Sequence, residues 1–412
     1  MLKYVLAGAS VGMGLYLAIV AGSPRERGLT YPVVDTGQTR FYGSALVAEK
    51  PESGAAFYGQ DAHHQGLQPA YRDNGDGTVA DLNTGLMWQR DPGEKVTWDA
   101  AVSGAQALNL AGYRDWRLPS IKELYSLIQF SGTDPILHPG AAGQTLVPFI
   151  DTNYFEFRYG DPSRNERSID AQYWSSTQYV STTMNGNRTA FGVNFADGRI
   201  KGYPSALAGP PGRQHSMMAF VRYVRGNTAY GRNHFVDNGD GTVSDQATGL
   251  MWTKADSGAG MDWEHALAYA ENLEFAGYSD WRLPNAKELQ SIVDYTRSPA
   301  TAGTAAIDPL FETTPIRDEA GGKDFPYFWT GTTHASSDGS GRQAVYIAFG
   351  TAYGYMQSPP GSSTLRLLDV HGAGAQRCDF KAGDPADYPR GRGPQGDVVR
   401  VLNFVRCVRD AK

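Results

Sequence analysis

Short runs of alternating apolar and polar residues, separated by turns rich in Asp, Asn and Gly, occur along much of this chain. The stretch 73–77 is DNGDG, and short apolar runs follow it at 78–79 and 86–88. Asp, Asn and Gly accept the positive φ angles that tight hairpins require. The pattern therefore predicts short paired strands around this turn.

A helical periodicity comes next. Apolar residues recur at helical spacing over 98–108, and Thr97 precedes them where an N-cap belongs. After Pro119, Ser120 and Glu123 have the spacing of a capping box, in which side chains satisfy the free amides of the first turn. Two helices are therefore predicted.

The remaining part of the segment has the alternation of strands. Residues 191–195 alternate, Asp197 and Gly198 mark a turn, and a strand resumes at Arg199 and Ile200. A strand pair, two helices and a later set of antiparallel strands together define an α+β fold.

The whole pattern occurs twice. Residues 72–88 and 236–252 match at 13 of 17 positions, and residues 111–124 and 276–289 match at 11 of 14. Later landmarks recur in the same order, while the distances between them differ, as expected for variable loops on a fixed frame. We therefore expect two tandem copies of one module.

The module boundaries leave a separate N-terminal region. We place the first module at 70–226 and the second at 234–410. Residues 1–22 hold an apolar run after a short positive start, which is typical of a signal peptide, or of an uncleaved membrane anchor. Residues 23–69 are expected to form an N-terminal arm or stalk. The protein is accordingly expected to be secreted, periplasmic or at the cell surface.

Composition narrows the classes of function. The chain has 412 residues, 41% hydrophobic and 19% charged, with a formal net charge of −6. These values favour folded domains over disorder and argue against nucleic acid as a partner. Cys378 and Cys407 are the only cysteines. In an exported protein they are predicted to form a disulfide, since further soft ligands for a metal site are lacking.

Four landmarks carry a resemblance to a known family. They are DNGDGTV with TGLMW, GYxDWRLPxxKEL, YWSST at 173–177 and the closing FVRCVR at 404–409. Together they resemble the Lcl C-terminal domain family, which is named from a bacterial collagen-like adhesin. RLPSIKEL and the closing strand also resemble the formylglycine-generating enzyme family. Both resemblances imply a C-type-lectin-like fold for each module.

The second resemblance allows a test for catalysis. Formylglycine-generating enzymes use a pair of copper-binding cysteines in the later part of the fold. The first module has no cysteine, and Cys407 lies in the closing strand, a structural position in that family. No compact Ser-His-Asp group or metal-ligand spacing replaces the pair. We therefore expect no enzyme activity, no catalytic residue, no metal and no cofactor.

Two recurring groups of residues admit both a structural and a functional interpretation. Carboxylates cluster at both hairpins, but an EF-type calcium loop needs oxygen donors where this chain has Gly75 and Gly77. Turn chemistry is the favoured explanation, with calcium binding left open. The Trp-Arg pairs at 116–117 and 281–282 fit a structural corner better than a ligand-stacking site.

Polar and aromatic residues accumulate in the later half of each module, where the two copies diverge. Aromatic rings beside Arg, Asn and Asp suit sugars or protein hot spots. The predicted ligand-binding residues are Trp174, Arg188, Asn194, Asp197, Arg199, Tyr203, Trp329, Arg342, Tyr346, Tyr353 and Tyr355.

These features predict an adhesin-like protein that binds a glycan, an extracellular polymer or another surface protein. Two copies would add avidity for a repetitive ligand. A structural subunit of a surface assembly, with self-association through the loops, is the first alternative. A divergent oxidase of the formylglycine-generating type is the second.

Overall fold

The computed structural model describes residues 28–135, 146–208 and 216–411. Antiparallel strands predominate in it and the helices are few and short, in two tandem domains. The apolar segment 1–22, predicted as a signal peptide or anchor, lies outside the described residues. Within the described ranges, no helix is long and apolar enough to cross a membrane.

The arm and the first module contain nine strands and two α-helices within the described residues. They are β1 (Phe41–Tyr42), β2 (Val47–Ala48), β3 (Tyr71–Asp73), β4 (Thr78–Asp81), β5 (Leu86–Gln89), α1 (Trp98–Ala107), α2 (Ile121–Tyr125), β6 (Gln172–Thr183), β7 (Asn187–Asn194), β8 (Arg199–Pro204) and β9 (Val224–Gly226). The predicted order of a strand pair, two helices and later strands is confirmed.

The second module repeats this order with additions. Its elements are β10 (Phe235–Asp237), β11 (Thr242–Asp245), β12 (Leu250–Thr253), α3 (Trp263–Glu271), α4 (Ala286–Ser291), α5 (Pro299–Ala302), β13 (Ile316–Arg317), β14 (Lys323–Asp324), β15 (Tyr327–His334), β16 (Gln343–Ala348), β17 (Tyr353–Gln357), β18 (Leu365–Asp369), β19 (Gln376–Phe380) and β20 (Val408–Asp410). The hairpin β17–β18 lies between β16 and β19, whereas the corresponding strands β7 and β8 are joined by a short turn.

Each module closes on its own beginning through a four-stranded antiparallel sheet. The orders are β3-β4-β5-β9 and β10-β11-β12-β20. Trp88 lies opposite Val224, and Trp252 lies opposite Val408. Both indoles are fully buried, so these two tryptophans anchor the sheet to the core.

Side-chain hydrogen bonds explain the turn that precedes β4. Asp73 Oδ1 accepts the Gly75 amide at 2.9 Å, and Asp76 Oδ1 accepts the Thr78 hydroxyl at 2.6 Å. Gly75 and Gly77 have φ angles of 75° and 87°, which favour glycine. The carboxylates therefore complete the turn, which supports turn chemistry as their role.

The helices begin where the sequence predicts. Thr97 caps α1 through the amide of Ala100. Complete capping boxes start the second helix of each module, namely Ser120 with Glu123 and Asn285 with Glu288. Arg117 pairs with Glu123, and the equivalent arginine of the second module holds its glutamate in the same way. The structural-corner interpretation of the Trp-Arg pairs is confirmed.

A six-stranded antiparallel sheet joins the two modules. Its order is β15-β16-β19-β8-β7-β6, with three strands from each module. Strands β8 and β19 meet at the centre, where Ile200 lies opposite Gln376. Because these two strands are equivalent and antiparallel, an approximate two-fold axis passes between them. We call this junction the seam.

The second helices exchange lysine contacts across the same axis. Lys122 of α2 donates to the carbonyl of Ser291 at 2.6 Å, and Lys287 of α4 donates to the carbonyl of Ser126 at 2.9 Å. Burial lowers the pKa of each ammonium group to about 8. The lysine of the duplicated KEL motif is therefore a contact between modules.

The described part of the predicted arm or stalk, residues 28–69, packs against both modules. Tyr31 is 1% exposed. The side-chain amide of Gln38 donates to the carbonyls of Phe130 in the first module and Thr333 in the second, at 3.3 and 2.8 Å. The segment is therefore an arm built into the molecule and does not extend away from it as a stalk.

Candidate functional site

Seven of the eleven predicted ligand-binding residues are buried or nearly so, contrary to the prediction. Trp174 packs with Trp98 of α1, and Trp329 packs with Trp263 of α3, each in the core beneath a helix. The other five lie on or beside interior strands of the six-stranded sheet, and they are Asn194, Asp197, Arg199, Tyr203 and Tyr346. Most of these residues are buried within their own module, so they do not form a surface open to a ligand.

Asn194 stabilises the turn after β7. Its Nδ2 donates to the carbonyl of Ile169 at 2.8 Å, and its Oδ1 accepts the amide of Ala196 at 3.0 Å. Both ends of the amide group are therefore engaged within the protein.

Asp197 and Arg199 form an ion network at the seam instead of a recognition loop. Asp197 is 1% exposed and lies 2.7 Å from the ammonium of Lys201. Arg199 donates to both carboxylate oxygens of Asp134, at 3.0 and 2.6 Å. Burial raises the pKa of Asp197, but Lys201 and Arg199 outweigh it and lower the pKa to about 2. The network is therefore charged at neutral pH.

The predicted disulfide is not formed, and both cysteines are free. Cys378 lies on β19 of the six-stranded sheet, where its Sγ is 3.1 Å from Nη2 of Arg199. Cys407 is 1% exposed in the core of the second module, just before β20. The disulfide prediction required Cys378 to lie beside the closing strand. Its position in a sheet fixes it in a different environment.

The two thiols differ in acidity because their surroundings differ. Burial raises the pKa of the Cys378 thiol, but the charges of Arg199 and His334 outweigh burial and lower it to about 6. Burial in the apolar core raises the pKa of Cys407 well above its usual range.

Two of the predicted arginines are exposed but stand apart, one in each module. Arg188 on β7 donates to Gln178 and lies 5.7 Å from the ring centre of Trp98. Arg342 precedes β16, and its carbonyl accepts the amide of Lys381 at 3.0 Å. Neither brings the predicted residues together into one site.

Tyr353 and Tyr355 are the best placed of the predicted residues. Both are half-buried on β17, in the hairpin that the second module adds. The Tyr353 hydroxyl lies 3.1 Å from Oδ2 of Asp318. Tyr355 lines an open cleft of about 390 Å³. We call this the second-module cleft, and its walls include Arg317, Glu319, Tyr355, Tyr388, Pro389 and Leu402.

The ring of Tyr388 is held in place by stacking. It lies against Phe380 with ring centres 5.1 Å apart and planes at 24°. The guanidinium of Arg392 lies 4.6 Å from the Phe380 ring centre. Because these contacts orient the ring before any ligand arrives, binding at Tyr388 would cost little side-chain entropy.

Charged groups border the same cleft. Arg400 lies 3.9 Å from the ring centre of Tyr327, and its Nε is 2.9 Å from Oε1 of Glu319. The stacked ring and the carboxylate together fix the guanidinium. The cleft therefore combines aromatic faces with Glu319, an acceptor that Arg400 holds in place.

The comparison with known families finds the same duplication. A family model described as the Lcl C-terminal domain matches residues 77–225 and 241–368, which together exceed half of the chain. The chain belongs to the Lcl C-terminal domain family. No curated protein and no solved structure matches it.

The second-module cleft extends beyond the Lcl C-terminal domain matches. Tyr355 lies within the second match, whereas Tyr388 and Arg400 follow it. The sequence comparison of the two modules missed both residues, because the long segment between β19 and the closing strand has no counterpart of equal length in the first module. The feature of the sequence that could have indicated this part of the cleft is the mixture of Tyr, Pro and Arg over 385–400.

Proposed function

We propose that this member of the Lcl C-terminal domain family is an adhesin-like binding protein and that the second-module cleft is its ligand site. The observation that carries the proposal is the convergence of Tyr355 and Tyr388 on one open cleft. These rings come from segments about thirty residues apart in the sequence, and neither serves the six-stranded sheet.

The chemistry of the cleft suits a glycan or an extracellular polymer. Sugar rings have apolar C–H faces bordered by hydroxyl groups, and tyrosine rings combine an apolar face with a polar edge. Arg317 and Glu319 supply a charged donor and an acceptor beside the rings, and Arg400 holds Glu319 in place. Leu402, 52% exposed, adds an apolar wall. One ligand unit can thus satisfy both kinds of contact.

The proposal includes a C-type-lectin-like fold for each module and an exported location. Support for the fold comes from the closing strands β9 and β20, which return to β5 and β12 beside two helices. Support for export comes from the apolar segment 1–22. A purely binding role is supported by the separation of Cys378 and Cys407, which an oxidase of the formylglycine-generating type would need as a pair.

A panel of immobilised glycans and matrix polymers tests the proposal. The full chain should be retained by at least one of them, and Tyr388→Ala and Tyr355→Ala should each weaken its affinity about tenfold, as expected when an aromatic anchor is lost. Tyr269→Ala is the matched control, because Tyr269 is an exposed tyrosine on α3 of the same module. It should bind like the parent.

Three results would oppose the proposal. The first is equal binding by the parent and both cleft variants. The second is assembly of the protein into polymers without any retained ligand, which would favour the structural-subunit alternative. The third is stoichiometric copper uptake through Cys378 and Cys407, which would favour the oxidase.

A further inference from the structure

The duplication gives the molecule two equivalent grooves, and the arm fills one of them. Each groove lies between the second helix of a module and its long strand, β6 or β15. In the second module the groove contains Asp61, which is 3% exposed. Its Oδ2 accepts the hydroxyls of Thr332 and Thr36, at 2.6 and 2.7 Å. Gly331 lets the arm approach, since a Cβ there would lie 3.2 Å from the Asp61 amide.

The arm also binds the main chain of β15. The side-chain amide of Gln38 donates to the carbonyl of Thr333 and accepts its amide, both at 2.8 Å. Strand β15 is one edge of the six-stranded sheet, and β6 is the other edge. An added polypeptide segment commonly binds a sheet at such an edge. The arm is therefore an example of segment binding within this molecule.

The equivalent groove of the first module is open. A cleft of about 670 Å³ lies there, between the two modules. We call it the inter-module cleft, and its walls include Ser120, Ser176, Thr177, Thr228, Val293 and Tyr295.

The hydrogen bonds around the open groove match those of the filled one. Thr177 Oγ1 accepts the amide of Ile121 at 3.0 Å, as Thr332 Oγ1 accepts the amide of Ala286 at 3.0 Å. Within the described ranges the Thr177 hydroxyl has no protein acceptor, while Thr332 donates to Asp61. Ser176 lines the inter-module cleft at the position equivalent to Gly331. Its hydroxyl is turned towards the Pro119 carbonyl, 3.2 Å away.

We propose that the inter-module cleft binds an extended segment of a partner protein, which crosses β6 at Ser176 and Thr177 and presents an Asp or Asn side chain to the Thr177 hydroxyl. The arm shows the contacts: an acceptor side chain on the threonine and an amide on the edge strand. The site is separate from the second-module cleft and does not depend on the ligand proposed for it.

A random library of short linear peptides, displayed on phage and selected on the intact full chain, tests this proposal. Ser176→Tyr places a ring in the cleft, and Thr228→Tyr does so from the linker, where Thr228 is exposed. Peptides bound by the parent should lose at least about tenfold in affinity for both variants. Replacing their Asp or Asn by Ala should weaken binding to a similar extent, since the hydroxyl then lacks its acceptor.

Ser103→Tyr, on the exposed side of α1, is the matched control and should bind the peptides like the parent. Melting temperatures show whether each variant is folded, and two independent blocking positions guard against the failure of one. The proposal is overturned if selection yields no binder, or if the binders recognise the blocked variants as well as the parent. Binding that does not depend on an Asp or Asn would also overturn it.

Discussion

Charged residues of the first module form an ion network beside the seam, where Arg199 also reaches Cys378 of the second module. Arg199 contacts Asp134 through two hydrogen bonds and lies 3.4 Å from Asp197. The side chain of Arg199 is 12% exposed, so little solvent screens these ion pairs. The residues predicted as a recognition surface are therefore structural. The sequence could not distinguish the two roles, because protein interfaces and ligand sites share the same mixture of polar and aromatic residues.

The first prediction follows from this network. Arg199→Ala should lower the free energy of unfolding by roughly 3 kcal/mol, since it leaves the partly buried Asp134 without its bidentate cationic partner and Asp197 with Lys201 alone. Arg188→Ala, at an exposed position of the same module, should stay within about 0.5 kcal/mol of the parent. Urea denaturation measures both. If both variants lose equally little free energy of unfolding, the ion pairs of Arg199 contribute no more than those of an exposed residue, which would contradict this prediction.

The second prediction concerns the pH dependence of the arm. Burial, reinforced by Asp35, raises the pKa of Asp61 to about 7. The folded protein therefore keeps a proton on Asp61 between its ordinary pKa and about 7, where the unfolded chain has released it. The stability that Asp61 contributes is present at acid pH and is lost as the pH rises from about 4 to about 7.

Asp61→Asn removes this titration and serves as the comparison. As the pH rises from about 4 to about 7, the free energy of unfolding of the parent should fall relative to that of Asp61→Asn, by up to roughly 1.4 kcal/mol per pH unit. Denaturant titrations at several pH values measure it. A difference that does not change with pH, or that grows in favour of the parent, contradicts the buried position of Asp61.

At the scale of elements, local signals determined most of what the sequence could predict. The hairpin at 73–77, the N-cap at Thr97 and the capping box at Ser120 are all present, because their hydrogen bonds involve neighbours along the chain. The hairpin β17–β18 was not predicted. It lies where the two copies diverge, so a comparison of the copies could not indicate which residues of the two strands pair.

The third prediction tests the exchange of lysines between second helices. Lys122→Met and Lys287→Met should each destabilise the protein by roughly 2 kcal/mol, since each leaves buried carbonyl groups without a donor. Lys50→Met is the control, because Lys50 is exposed on the arm. Thermal unfolding of the three variants checks the expectation. Similar melting temperatures for all three would mean that the contacts across the axis contribute nothing.

At the scale of the whole molecule, the sequence showed two modules but not how they pair. The contact between Ile200 and Gln376 joins strands that lie far apart in the sequence. No periodicity or motif encodes such a pairing, which depends on how two folded copies fit together. The same holds for the arm, whose Gln38 binds both modules.

This pairing has a functional consequence. The equivalent strands β8 and β19 pair with each other at the seam, so their edges are not free to bind a ligand. Tyr355 on β17, together with Tyr388 and Leu402 of the segment 385–402, lines the second-module cleft. The proposed ligand site therefore lies in one module and in one cleft.

The most direct test is hydrogen–deuterium exchange of the full chain, measured with and without the glycan or polymer of the panel that retains the protein best. Bound ligand should slow exchange at residues 353–357 and 385–402 and leave residues 187–204 unchanged, because only the former border the second-module cleft. Slower exchange at 187–204, with no change at 353–357 and 385–402, would contradict the assignment and place the ligand on the seam.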